Sequence, residues 1–443
     1  MMPDIKPRDR DAIIQSLRAG VVPRTGHQHI QVGRADEVTA LVGDIDRISD
    51  GGAAIRFIIG EYGSGKTFFL FLVRAIALQK KLVATHADLA PERRLYSTGG
   101  HARALYAELM RNISTRANPD GGALPSIVER FVSSALNEAQ ANGTNASRVI
   151  QARLEQLSEM VGGYDFAQVI GAYWRGHDTG NEVLKSDAVR WLRAEFATRT
   201  DARGALGVRT IVDDANAYDH LKLMARFVRL AGFGGFLVCM DEMVNLYKLT
   251  NATARSSNYE QVLRIVNDGL QGISCGLGIM FGGTPEFLTD TRRGLYSYAA
   301  LQSRLAENSF AVNGLVDYSG PVIRLPNLTP EDFLVLLTRL RHLHACGDVS
   351  RYLIPDEALH AFMDHCSSRV GDAYFRTPRN TIKAFLDLLA ILEQNPESSY
   401  VDLIGTVAID QEMNTDLLPL TDEDEPETTA AEGDDDELAS FRL

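Results

Sequence analysis

The sequence has few cysteines, no long hydrophobic run and no apolar leader. Its 443 residues include four cysteines without Cys-x-x-Cys spacing, which excludes a small disulfide scaffold and favours reduced, buried thiols. No stretch reaches the roughly 20 apolar residues of a transmembrane helix. The start, MMPDIKPRDRD, is too polar for a secretory signal. We therefore expect a cytoplasmic protein that does not associate with membranes.

A basic excess is also missing, because the net charge is −13. Residues 421–443 hold ten acidic residues and one basic residue, a net charge of −9, which leaves −4 for the other 420 residues. The body of the chain is thus nearly neutral, and its acidic isoelectric point does not exclude nucleic-acid binding. We expect residues 411–443 to form a disordered acidic tail, for which a solubilising role is a simpler interpretation than a specific interaction.

A glycine-rich loop carries the strongest chemical signal. The segment GEYGSGKT, Gly60 to Thr67, matches G-x-x-x-x-G-K-[ST] between a predicted strand over 55–59 and a predicted helix, which disfavours a chance glycine turn. In such loops, backbone N–H groups face the phosphates, the lysine (Lys66) reaches the β- and γ-phosphates and the hydroxyl (Thr67) binds Mg²⁺. The predicted ATP-binding residues of this loop are Gly60, Gly63, Ser64, Gly65, Lys66, Thr67 and Phe68.

Two further predicted strands end in polar side chains. An apolar run over 236–240 leads to Asp241 and Glu242, and the run over 276–284 ends at Thr284. Beside a phosphate loop, Asp241 would hold magnesium through water and Glu242 would orient and polarise the attacking water. Thr284 would contact the γ-phosphate and that water. The alternatives are helix capping by the two acids and an ordinary Gly-Thr-Pro turn.

The remaining patterns predict an α/β P-loop NTPase core with a parallel sheet, a helical insertion and a C-terminal helical lid. Strands are also predicted over 82–90 and 321–328, and a single basic helix over 286–308. Thr329 is the predicted N-cap of the first lid helix, with Asp332 at its N3 position. The predicted regions are 1–50 (N-terminal helical and base-binding segment, with Gly33 and Arg34), 51–118 and 209–328 (nucleotide-binding core), 119–208 (insertion), 329–410 (lid) and 411–443 (tail).

The order of these features resembles an AAA+ ATPase of the initiator-like, origin-recognition branch. Within that branch, the chain is similar to the ATP-binding protein family of BREX phage-defence systems over about residues 8–405. The segments that carry this closer resemblance are AGVVP (19–23), VGRADE (32–37), GEYGSGKTFF (60–69), RRLYSTGG (93–100), CMDEMVNLYK (239–248), GGTPEF (282–287) and ALQSRL (300–305).

The resemblance implies further roles. Thr284 takes the sensor-one position, and Arg379, in TPRN, matches the lid arginine that reaches the γ-phosphate of its own subunit. Arg304 matches the trans-acting arginine that completes a neighbouring subunit's site. Arg292 and Arg293 are rivals of Arg304, and Arg376 is a rival of Arg379. An exposed, solvated arginine is the alternative for each.

The sequence and the resemblance together predict an Mg²⁺-dependent ATPase that forms a ring or open ring. We expect it to act on double-stranded DNA or to load a helicase or other defence protein. The alternative is a nucleotide-gated switch or scaffold with slow or incidental hydrolysis; a metabolic kinase is disfavoured because no acceptor pocket is recognisable. A zinc site is disfavoured too, since the lid histidines His342 and His344 point to different faces of a helix and no Cys-x-x-Cys pair accompanies them.

Overall fold

A five-stranded parallel sheet organises the chain. The computed structural model describes residues 5–311, 315–370 and 378–406. The sheet order is β2-β3-β4-β1-β5, with strands β1 Ala54–Ile59, β2 Val83–Asp88, β3 Phe236–Asp241, β4 Leu277–Gly283 and β5 Val322–Arg324. All five predicted strands are present. The last strand is shorter than predicted: its pairing ends where β1 ends, with the Leu325 amide donating to the Ile59 carbonyl at 2.7 Å.

Helices cover both faces of the sheet. They are α1 Pro7–Arg18, α2 His27–Ile30, α3 Ala35–Ser49, α4 Lys66–Gln79, α5 His101–Arg111, α6 Leu124–Ala141, α7 Ala146–Ser158, α8 Gly163–Thr179, α9 Glu182–Leu192, α10 Arg199–Leu206, α11 Ala217–Leu230, α12 Val244–Lys248, α13 Ala252–Leu270, α14 Pro285–Thr289, α15 Ala299–Leu305, α16 Pro330–His344, α17 Asp356–Val370, α18 Pro378–Gln394 and α19 Tyr400–Thr406. Across residues 5–311, 315–370 and 378–406, no helix combines the length and apolar character needed to cross a lipid bilayer.

The segment 119–208 is helical, as predicted, and its helices α6–α10 share one continuous core with a face of the sheet. Phe227 of α11 lies at the centre of the contact. Its ring centroid is 5.2 Å from that of Phe131 in α6 and 5.6 Å from that of Phe166 in α8. The same core includes Phe57 of β1 and Phe281 of β4. Burial of this apolar surface therefore fixes the insertion to the sheet.

The N-terminal segment packs on the lid helices α16–α19. Ile13 of α1 and Ile30 of α2 belong to the same buried cluster as Phe333 and Phe385 of the lid. An ion pair of 2.7 Å between Arg18 and Asp387 also joins α1 to α18. The predicted N-cap Thr329 of α16 is confirmed, and with Asp332 it forms a capping box, since the Thr329 hydroxyl accepts from the N3 amide and the Asp332 carboxylate accepts from the Thr329 amide. Thus α1, α2 and the lid share one core.

The prediction of one basic helix over 286–308 is wrong. The segment contains α14, a 3₁₀ turn over Leu295–Ser297 and α15. The Asp290 carboxylate accepts hydrogen bonds from the Arg292 amide at 2.7 Å and the Arg293 amide at 3.3 Å, which stabilises a turn instead of a helix. At Gly294, a Cβ atom would lie 2.7 Å from the Glu286 carbonyl oxygen. Arg292 and Arg293 therefore lie outside the helix that carries Arg304.

The four cysteines are thiols, as predicted, but they are not all buried. Cys239 and Cys366 are buried, whereas Cys275 is exposed in a surface turn. Burial raises the pKa of the Cys239 thiol to about 12, which keeps it protonated at neutral pH.

Substitution Phe227→Ala tests the shared core of insertion and sheet. We expect it to lower the free energy of unfolding by about 3–5 kcal/mol, because it leaves a cavity among α6, α8 and α11. Denaturant unfolding of the full chain measures this. The exposed Tyr164 of α8 is the control, since Tyr164→Ala should change stability by about 0.5 kcal/mol or less. A Phe227→Ala loss no larger than that of the control contradicts the shared core.

Candidate functional site

A deep cleft opens where β1, β3 and β4 end. Parallel strands bring their carboxyl ends to one edge of the sheet, where ligands bind in open α/β folds. The cleft and the open solvent at its mouth together occupy about 1360 Å³. Its polar wall includes Lys66, Thr67, Asp241, Glu242 and Thr284. Its apolar wall comes from the N-terminal segment, α4 and the lid, and includes Val22, Val32, Phe68, Leu336 and Ile382.

The phosphate loop adopts a conformation that requires glycine. Gly63 and Gly65 have φ values of 78° and 82°, in the left-handed region. At Gly60, a Cβ atom would lie 2.4 Å from the Ser64 hydroxyl oxygen. The Ser64 hydroxyl is itself buried and has no hydrogen-bond partner among the residues that the structure describes. The loop leads directly into the N-terminus of α4, whose first turn has no acidic residue. The helix dipole and the amides that open α4 therefore suit an anion here.

Lys66 places an ammonium group across this loop. Its Nζ atom donates hydrogen bonds to the carbonyl oxygens of Gly60, at 3.0 Å, and Glu61, at 2.9 Å. These bonds hold the cation at the side of the loop where the strand β1 ends.

The acidic strand meets the first turn of α4. The Thr67 hydroxyl donates to the Asp241 carboxylate with an oxygen–oxygen distance of 2.6 Å, and the Glu242 amide donates to the other carboxylate oxygen at 2.9 Å. A hydroxyl and a carboxylate are the hard oxygen donors that Mg²⁺ prefers, so this pair fits the predicted ion. Sequence reasoning missed Gly282 of β4, where a Cβ atom would lie 2.1 Å from the Asp241 carboxylate. The predicted strand over 276–284 carries two successive glycines just before Thr284, and this pair was the available signal for Gly282.

The two predicted water-contacting residues lie beside this pair. Glu242 is exposed at the cleft and has a φ of 57°, which is uncommon for a residue with a side chain. Thr284 is buried, and its hydroxyl accepts a hydrogen bond from the Phe287 amide at 3.4 Å as the N-cap of α14. Sequence reasoning missed Asn245 of α12, whose side-chain amide donates to the Leu89 carbonyl at 2.7 Å and joins this helix to the end of β2.

Gly33 and Arg34 lie between the phosphate loop and the lid. The Arg34 guanidinium donates to the Ser64 carbonyl and, at 3.4 Å, to the Pro326 carbonyl. A Cβ atom at Gly33 would lie 3.1 Å from the Asp332 carboxylate. Burial of the guanidinium lowers the pKa of Arg34, while Glu37 and Asp332 act in the opposite direction. Both predicted residues are thus close to the cleft.

The predicted arginines occupy different places. Arg379, at the start of α18, lines the cleft. Arg304 is exposed and is not part of the cleft wall; its Nε atom donates to Asn267 at 2.6 Å. Arg293 donates to the Leu249 carbonyl at 3.1 Å and lies over the Tyr247 ring, which leaves Arg292 as the more exposed rival. Arg376 lies outside the described residues.

The lid histidines His342 and His344, weighed above as zinc ligands, each contact another side chain. His342 Nδ1 lies 2.9 Å from the Tyr352 hydroxyl, and His344 Nε2 lies 3.5 Å from the Glu393 carboxylate. Among residues 5–311, 315–370 and 378–406, no group of three or more His, Cys, Asp or Glu side chains is arranged to hold a metal ion.

A row of aromatic and histidine rings borders α4, and sequence reasoning missed it. The His27 ring lies 5.4 Å from that of Phe68 and 6.2 Å from that of Phe71, and the Phe71 ring lies 4.9 Å from that of His86. Burial lowers the pKa of His27 to about 4; burial and the nearby Arg74 do the same for His86. Both imidazoles are therefore neutral at pH 7.

One comparison with known proteins gives a match. The family model for the BREX system ATP-binding protein BrxC/D matches residues 5–408. No curated protein matches the chain at a significant level.

Substitution Gly282→Ala tests the space beside Asp241. The added methyl group would displace the Asp241 carboxylate from Thr67. We therefore expect the factor by which Mg²⁺ increases the affinity for ATP to fall at least tenfold. Calorimetric titration of ATP with and without Mg²⁺ measures this. Gly43→Ala is the matched control, because a Cβ atom at Gly43 meets nothing within 4 Å. An unchanged Mg²⁺ effect in Gly282→Ala contradicts the assignment.

The histidine pKa values predict acid sensitivity. In the unfolded chain these side chains take up a proton near pH 6.5, whereas the folded His27 does so only near pH 4. Stability contributed by neutral His27 is therefore present above pH 6.5 and is lost as the pH falls, by roughly 2 kcal/mol between pH 7 and pH 5. Urea unfolding should show a shallower pH dependence for His27→Gln than for the wild type. Equal slopes would contradict the burial of a neutral imidazole.

Proposed function

The chain belongs to the family of BREX system ATP-binding proteins BrxC/D, and we propose that it is an AAA+ ATPase that binds and hydrolyses ATP with Mg²⁺. We further propose that it oligomerises and acts on double-stranded DNA, or loads a helicase partner, in phage defence. The observation that carries the ATPase proposal is the 2.6 Å contact of Thr67 with Asp241, next to Glu242 and the phosphate loop.

The phosphate loop would bind the triphosphate. The amides that open α4 donate to phosphate oxygens, and the Lys66 ammonium exchanges the carbonyl oxygens of Gly60 and Glu61 for the β- and γ-phosphates. Thr67 and Asp241 would hold Mg²⁺. When bound, the ion neutralises charge on the phosphates. The apolar wall of the cleft, with Val22, Val32 and Ile382, suits the base.

Hydrolysis requires a water in line with the γ-phosphate. Glu242, at the cleft edge, would accept a proton from that water and orient it. Thr284 lies at the end of the neighbouring strand and would contact the same water or the γ-phosphate. Because Thr284 is buried, its side chain has little conformational freedom, which favours a fixed geometry of this contact.

Two arginines would complete the site from different subunits. Arg379 lines the cleft of its own chain and would reach the γ-phosphate from the lid. Arg304 is exposed on α15 outside its own cleft, as a residue that acts on a neighbour must be. This exposure supports Arg304 as the trans-acting arginine and a homo-oligomer as the active form.

A nucleotide-gated switch is the second candidate function. The observation that favours it is the common core of α1, α2 and the lid, because closing the lid on a nucleotide would move the N-terminal segment too. In that case hydrolysis is slow, and ATP binding alone sets the oligomeric state.

The first experiment is ATP hydrolysis with and without double-stranded DNA, with the mass in solution followed across a salt series. We expect ATP-dependent oligomers and DNA stimulation that declines with salt, because phosphate contacts release counterions. Glu242→Gln should bind ATP but hydrolyse it at least 100-fold more slowly. Unchanged hydrolysis in Glu242→Gln would reject the role assigned to Glu242, absence of hydrolysis in the wild type would reject the ATPase assignment, and assembly without DNA stimulation would favour the switch.

Mixing two inactive variants tests the trans-acting arginine. Arg304→Ala retains its own phosphate loop, and Lys66→Ala retains Arg304, so mixed oligomers should recover part of the hydrolysis that each variant lacks alone. The matched control is Arg292→Ala, which we expect to hydrolyse ATP at close to the wild-type rate. If the mixture stays inactive although the variants co-assemble, Arg304 does not act between subunits.

A further inference from the structure

One side chain, Arg34, joins three parts of the chain that surround the cleft. Its guanidinium donates to the Ser64 carbonyl in the phosphate loop and, at 3.4 Å, to the Pro326 carbonyl in the connection between β5 and the lid. It also lies beside Gly65, where a Cβ atom would come within 3.7 Å of its terminal nitrogen. A single cation therefore holds loop and lid connection together.

The backbone around Arg34 is adapted to this position. Arg34 itself has a φ of 59°, and it follows Gly33, with a φ of 63°. A left-handed conformation is unfavourable for a residue with a side chain and persists only where surrounding contacts impose it. The contacts here come from the loop, from Phe69, whose ring centroid lies 5.9 Å from the guanidinium carbon, and from Asp332, which lies against Gly33.

The bond to Ser64 acts on the phosphate-binding peptide itself. In a trans peptide the C=O and the following N–H point in opposite directions. With the Ser64 carbonyl held by Arg34, the Gly65 N–H points away from the arginine. This N–H has no hydrogen-bond partner in the part of the chain that the structure describes. It is one of the amides that a phosphate loop offers to its anion.

On the lid side, Asp332 connects Arg34 to the first lid helix. Its carboxylate accepts from the Thr329 amide at 3.2 Å in the capping box of α16, and it faces the Gly33–Arg34 turn. A second hydrogen bond also joins the lid connection to the loop: the side-chain amide of Asn327 donates to the Glu61 carboxylate at 3.2 Å. A shift of the lid connection would therefore change the position of the Ser64–Gly65 peptide.

We propose that Arg34 is a positioning residue that pre-orients the Ser64–Gly65 peptide for phosphate and couples it to the lid, instead of contacting the base of the nucleotide. The role in phosphate binding rests on the proposed function. The order that Arg34 imposes on the ligand-free loop does not, so the two can be tested separately.

Hydrogen–deuterium exchange of the ligand-free full chain is the test. Arg34→Ala should accelerate exchange at least fivefold in both residues 60–67 and residues 326–333. Arg47→Ala is the matched control, since Arg47 is an exposed arginine of α3, the helix that Arg34 immediately precedes, and should leave both segments unchanged. Arg34→Lys retains the charge but not the forked geometry and should give an intermediate rate. Should Arg34→Ala fail to fold, the comparison of Arg34→Lys with the wild type decides.

Titrations with ATP and with inorganic triphosphate form the second arm. A positioning role predicts that Arg34→Ala weakens both ligands by the same factor, at least tenfold, because neither effect involves the base. Unchanged exchange in both segments, acceleration in only one of them, or weakening confined to ATP would overturn the proposal. If the wild type binds neither ligand, the proposed function fails, while the exchange result still decides the role of Arg34.

Discussion

The close approach of Thr67 and Asp241 is the contact on which the cleft depends. The two residues are 174 positions apart and lie after β1 and at the end of β3, with β4 between those strands. The Asp241 carboxylate must therefore pass over β4 to reach the first turn of α4. Gly282 provides that path, because any side chain there would occupy the position of the carboxylate. Sheet order and one glycine together create the oxygen pair that suits a divalent cation.

Buried clusters of the described residues meet around this contact. One joins the sheet to the insertion through Phe227 and its aromatic neighbours, a second joins α1 and α2 to the lid through Ile13 and Phe333, and a third packs α3 and α4 on the other face of the sheet. The cleft takes its polar wall from the sheet and much of its apolar wall from the second cluster. Arg34 lies over Phe69 of the third cluster and next to the lid, and is thus positioned to transmit a change from one to the other.

The sequence located the polar residues of the cleft wall better than the contacts that support them. The phosphate loop, Asp241 and Glu242 could be found because the backbone and metal chemistry demand specific residue types at fixed spacing beside buried strands. Gly282, Asn245 and the His27–Phe71–His86 row were not found, since their roles arise from contacts between segments distant in sequence. The broken helix over 286–308 was missed for a local reason: the Asp290 side chain competes for backbone amides, which a periodic pattern does not register. The division of the chain into regions remains a prediction, as do the roles of the phosphate loop, Asp241, Glu242, Thr284, Arg304 and Arg379.

The most direct measurement is a double-mutant cycle on ATP affinity in the presence of Mg²⁺, with Thr67→Ala, Asp241→Asn and the double variant. If the pair acts on one bound ion, each single substitution weakens binding at least tenfold, and the double variant binds about as weakly as the weaker single variant. Additive losses, or unchanged affinity in either single variant, would contradict the account that this contact forms the metal side of an ATP site.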